Sequence, residues 1–147
     1  MNQTRKLLET VIENARLGEY ACEQLLSKTK DDEMRRELAL EKQEYLSIAG
    51  DAEKRLERMG IPIQHKDMKT RMGMWMGMQM NTLMDKTSTH IAEMLIEGAT
   101  MGVVEITKAR NSFPEADADA HGLASRMITK QQEAIDRLKK VLRLQEA

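Results

Sequence analysis

Apolar side chains recur three and four residues apart through most of this chain, which predicts amphipathic helices rather than strands. The first stripe joins Leu7, Leu8, Val11, Ala15, Gly18, Cys22 and Leu25, giving a helix over about 4–28. The second joins Met34, Leu38, Tyr45, Ile48, Ala52 and Leu56, giving a helix over about 32–59. Asp31 and Asp32 between them suit the positive end of the second helix. Gly60 followed by Pro62 marks its end, because glycine tolerates the left-handed residue that closes many helices. A third stripe through Ile91, Leu95, Gly98, Gly102 and Ile106 starts near Asp85, Thr87 and Ser88, whose side chains can cap a helix N-terminus. The fourth runs through Leu123, Met127, Ala134, Leu138 and Leu142. Pro114 sits near its expected start, and Lys139, Lys140 and Arg143 sit near its C-terminus.

The first and second helices are joined too tightly to be anything but antiparallel neighbours, and the same holds for the third and fourth. Between the second and third lies a long methionine-rich stretch, about 61–87. Its 67–80 portion is a further helical candidate, continuous with the third helix. The expectation is an all-α, single-domain chain over 1–147: four helices in two antiparallel hairpins, joined by one long crossover.

Composition narrows the function classes. The chain has 147 residues, 41% apolar and 32% charged, enough for one sizeable core without disulfides. Net charge is −1 with both signs interspersed, which argues against a nucleic-acid partner. No run approaches the roughly 20 apolar residues of a membrane-spanning helix, and no apolar segment follows Met1–Lys6, so neither a membrane anchor nor a secretory signal is read. Cys22 is the one cysteine. With no intramolecular disulfide available to it, a reducing cytoplasm is expected.

The chemistry that stands out is acidic and faces inward. At 100° per residue, Glu19 lies roughly 50° from the centre of the first stripe, Glu41 roughly 30° from the second, Glu105 roughly 35° from the third and Gln131 roughly 25° from the fourth. Isolated buried carboxylates are costly, so such a group must be protonated, paired with cations or bound to metal. In this pattern the chain resembles the ferritin-like superfamily, and in particular small bacterial ferritin-like proteins of unknown function with a short Trp-containing crossover like that around Arg71–Trp75. The resemblance implies a carboxylate site for iron or manganese, with Glu19, Glu41, Glu44 and Glu105 as candidate ligands and Gln131 as the residue on the last helix. The sequence departs from the di-iron pattern: Glu41-Lys42-Gln43-Glu44 carries Glu where that pattern has His, and Gln131-Gln132-Glu133-Ala134 also lacks the His. A competing reading makes the acids a solvated edge of the hairpin, with Arg16 opposite Glu44 and Glu23 opposite Glu37.

Seven of the 13 methionines fall between Met68 and Met84. Met68, Met72, Met76, Met80 and Met84 form a stripe at every fourth position. With Trp75 and His65 such thioethers could hold Cu(I). Alternatively they pack adaptably over the helices or between subunits. His90 and Glu93 are neighbours off the core face, and no nucleophile–base spacing or phosphate loop is present. The resulting expectation is a non-enzymatic structural or interaction protein that forms homo-oligomers, with metal binding as the alternative.

Overall fold

The computed structural model describes residues 2–63 and 70–143 and is all-helical. The helices are α1 (Asn2–Leu26), α2 (Asp32–Arg58), α3 (Arg71–Asn81), α4 (Ser88–Ser112) and α5 (Ala118–Lys139). Among the described residues five helices therefore stand where four long ones and a candidate extension of the third were expected. No described helix is long and apolar enough to cross a membrane.

Local chemistry fixes most of the boundaries. Asp31 accepts a hydrogen bond from the Met34 amide at 2.9 Å and starts α2. At the other end Gly60 adopts φ +74°. Its amide bonds the Glu57 carbonyl, and the Ile61 amide bonds the Leu56 carbonyl, so the last carbonyls are satisfied by a Schellman turn. Ile61 then packs back against the core. The methionine-rich helix is not continuous with α4. Thr82 ends α3, Asp85 accepts from the Thr87 amide, and Thr87 caps the His90 amide, so the chain turns and restarts. His65 and Met68 lie outside the described residues. Met84 lies beyond α3 and is 92% exposed, so the fourfold methionine stripe stops at Met80.

The last helix begins later than Pro114 suggests. Asp117 is its cap, accepting from the Ala120 amide at 2.9 Å. Two tertiary contacts hold that cap: the Asp117 amide donates to Thr4 Oγ1 at 2.8 Å, and Arg55 of α2 donates to Asp117 Oδ2 at 2.7 Å. Replacing Asp117 with alanine is expected to cost about 1–2 kcal/mol, mostly the lost cap, since a half-exposed ion pair adds little. Asp117→Asn, which keeps the accepting oxygen, should cost less than half as much in the same thermal melts.

The contacts also fix helix directions. Gln3 and Thr4 at the start of α1 touch Glu115 and Asp117 at the start of α5, so these two run the same way. Arg55–Asp117, Arg126–Asp51 and Arg137–Glu37 link α2 and α5 in opposite order, so they are antiparallel. Arg110–Ser125 and the Gly102–Gln131 approach make α4 antiparallel to α5. Thus α2 and α4 share a direction, and the chain between them must return the length of the molecule. The four long helices bury one core, including Leu8 and Val11 of α1, Ile48 and Leu56 of α2, Ile106 of α4 and Met127 of α5. Helix α3 lies against α1 and α4, where Met72 and Met76 pack with Leu17 and Ala21.

Candidate functional site

Of the buried polar side chains, three from three helices reach one cavity: Asn14 of α1, Glu41 of α2 and Gln131 of α5, with 8%, 2% and 3% of their surface exposed. Glycines make room for them. A Cβ on Gly102 would come 2.1 Å from Gln131 Nε2, so the amide lies against bare α4 backbone. A Cβ on Gly18 would come 2.6 Å from the Tyr45 ring, which therefore lies flat on α1. One turn before Gly102, Gly98 faces Trp75 of α3 at 3.4 Å. The Gly98–Gly102 pair of the third stripe thus accommodates two side chains.

These groups line one cavity of about 40 Å³, room for up to about three water molecules. Its polar lining is Asn14, Glu41 and Gln131 on one side and Gln79 of α3 on the other; its apolar wall includes Met72, Trp75 and Met76 of α3. Asn14 Nδ2 donates to the Thr10 carbonyl at 2.9 Å, which turns Oδ1 the other way. Asn14 Oδ1, Glu41 Oε2 and Gln131 Oε1 are all buried without a hydrogen-bond partner.

Glu41 is the electrostatic centre. Burial, then its hydrogen bond and repulsion with Glu37, push its carboxyl well above the usual range, with Arg137 opposing. Arg137 is already engaged: it grips Glu37 through two bonds, at 2.8 and 3.1 Å, and reaches Glu44 at 3.8 Å. Burial pushes the Tyr45 phenol up strongly, with Glu41 adding to the effect and the Gln131 hydrogen bond working against it. The Cys22 thiol is raised in the same way, chiefly by burial and then by Glu41. It is a buried free cysteine on the cavity wall, as its place in the stripe suggests.

Comparison of the chain with family models, curated proteins and solved structures finds no match.

The four acids singled out as metal ligands do not meet at this centre. Glu41 alone lines the cavity. Glu19 is turned to Arg16 at 2.7 Å, Glu44 lies beside Arg137, and Glu105 is half-buried on α4 away from the cavity lining. Among the described residues no three Asp, Glu, His or Cys side chains form a group able to hold a metal ion. The expected Arg16–Glu44 pair is also replaced: Arg16 reaches Glu53, further along α2, and Glu44 is taken by α5. His90 lies 4.0 Å from Glu93 on the outer side of α4, as its position off the stripe implies.

Sequence reasoning missed Asn14 and Arg137, and it set Glu23 rather than Arg137 opposite Glu37. Asn14 had a usable signal. It falls three residues after Val11 and four before Gly18 on the buried stripe, and asparagine is a poor helix-interior residue unless its amide is used. Arg137 had none, because its role is to neutralise acids on a helix about 100 residues earlier in the chain.

Proposed function

We propose that this chain is a ferritin-like helical bundle with a non-enzymatic structural or interaction role, and that it self-associates through the outer face of α3. The ferritin-like part is supported by the shared direction of α2 and α4, the long return between them, and the inward Glu41 and Gln131. A scaffold role fits the use made of the charges. Glu37, Glu44 and Glu53 are spent on inter-helix contacts with arginines, and Glu19 is bonded to Arg16 within α1. Iron or manganese held by Glu19, Glu41, Glu44 and Glu105 is the less supported reading, because two of those four are committed to guanidinium groups.

The observation that carries self-association is the two-sided use of methionine in α3. Met72 and Met76 are buried, whereas Met74 and Met78, on the opposite side, are 65% and 64% exposed. From Met72 to Asn81 the helix has no ionisable residue, so two copies can meet without charge repulsion. Gly77 has open space where a side chain would be. In an isologous pair the gap at Gly77 of one copy receives Met74 or Met78 of the other, and flexible thioethers pack well in such contacts. Sedimentation across micromolar to millimolar concentration should show a dimer. The double variant Met74→Glu/Met78→Glu should move it to monomer with an unchanged far-ultraviolet helix signal. Wild-type protein that stays monomeric throughout that range would sink the proposal.

A further inference from the structure

We propose that the cavity framed by Asn14, Glu41, Gln131 and Trp75 is a binding site for one small N–H cation, ammonium or a methylammonium-sized primary amine. The inference is separate from self-association and uses a different face of α3.

The unpartnered atoms decide the chemistry. All three are oxygens of buried side chains on one cavity wall, and two are amide carbonyls that can only accept. A buried acceptor left without a donor is costly, so the site favours an occupant rich in N–H. Among the described residues no lysine or arginine lines the cavity, and Glu41 is its only carboxyl. The guanidinium that acts on Glu41, Arg137, is held by Glu37 and Glu44. Positive charge is therefore the complement that the cavity lacks. Trp75 and Tyr45 add aromatic rings to the wall, and aromatic faces attract ammonium groups. Size favours a small occupant, since about 40 Å³ matches two or three heavy atoms. Calcium or magnesium would need six or more oxygen ligands, with water making up the number, for which this space is too small.

Binding carries a proton balance. The groups facing Glu41 are Glu37, Glu44 and Tyr45 on α2, Cys22 on α1 and Arg137 on α5, and the described residues of α3 and α4 on the cavity wall do not titrate. Without ligand, burial and the neighbouring Glu37 favour the protonated Glu41 carboxyl. An arriving cation favours the carboxylate, so one cation enters as one proton leaves, and the cavity stays neutral overall.

Trp75 is the only tryptophan of the chain and lines the cavity, so its fluorescence reports occupancy directly. Methylammonium chloride is titrated into the full chain near neutral pH against sodium chloride at constant ionic strength, and proton release is followed in weak buffer. The expected result is a saturable Trp75 change with release approaching one proton per chain. Glu41→Gln, which keeps shape and hydrogen bonding but cannot supply negative charge, should weaken binding at least tenfold and abolish proton release while retaining the helix signal. Asn14→Ala should weaken binding without abolishing proton release. Absence of a saturable change in the wild type, an equal response to potassium or tetramethylammonium, or Glu41→Gln binding within twofold of wild type would each overturn the proposal.

Discussion

Gly18→Ala is expected to lower the stability of the protein by about 1–3 kcal/mol, the range for overpacking a filled core. The sign is opposite to the usual one. Inside a helix alanine is favoured over glycine by about 1 kcal/mol, because glycine has more backbone freedom to lose on folding. At Gly18 that gain is outweighed by contact. The added methyl would come 2.6–2.7 Å from three atoms of the Tyr45 ring. Tyr45 is buried against α1, with its hydroxyl end engaged near Gln131 and Glu41, so the ring cannot simply swing into solvent. Gly50, in the middle of α2, is the internal control: nothing lies within 4 Å of its added Cβ. Gly50→Ala should stabilise by about 0.5–1 kcal/mol through the propensity term alone. Urea unfolding followed by circular dichroism measures both. A Gly18→Ala protein as stable as Gly50→Ala would show that Tyr45 has space to retreat and that α1 and α2 are not locked at this point.

Glu41→Gln should raise stability at neutral pH by about 1–3 kcal/mol, the scale of relieving a buried, poorly satisfied polar group. The pH dependence distinguishes this cause from a packing effect. Unfolded, Glu41 titrates near its ordinary value of 4.5; folded, burial and the neighbouring Glu37 hold its proton to a much higher pH. Below pH 4.5 both states are protonated and the residue contributes no pH dependence. Above it, up to the raised folded value, the folded chain carries one more proton than the unfolded chain, so stability falls as pH rises. The glutamine amide has no such proton to lose and can still donate towards Glu37. The difference between variant and wild type should therefore be small near pH 4 and grow as pH increases. Asp117 acts in the opposite sense: burial, the largest single influence, raises its carboxyl, but its cap bond and Arg55 together hold it below the usual range, so its contribution fades as pH drops below the ordinary 3.8. A stability difference between Glu41→Gln and wild type that is flat from pH 4 to pH 8 would rule out a retained proton on Glu41.

Both predictions rest on residues of different legibility. Glu41 and Gln131 were visible as inward polar groups because each lies close to the middle of an apolar stripe, and both are buried. Glu19 lies further round its helix, and the structure leaves it and Glu105 half-buried at the edge. Helix phase set Glu19 apart but not Glu105, whose offset is within roughly 5° of that of Glu41 and which is half-buried all the same. The phase could not say what surrounds Glu41. Its environment is set by Glu37 and Arg137, and by glycines on α1 and α4 that admit Tyr45 and Gln131.

The helices, their caps at Asp31 and Thr87 and the Schellman turn at Gly60 follow from the sequence alone, because each depends on contacts within a few residues. Where the sequence misled, a distant partner intervened. Asp117 rather than the region of Pro114 starts α5 because Thr4 and Arg55 hold it there. Arg16 bonds Glu53 instead of Glu44 because α5 supplies Arg137 to the latter. The methionine stretch forms a separate helix across α1 and α4, turned by its own local caps into a position that only packing selects. Local hydrogen bonding and periodicity determine which segments are helical. Which acid is neutralised, and which is left facing a cavity, depends on side chains that meet only once the helices have packed.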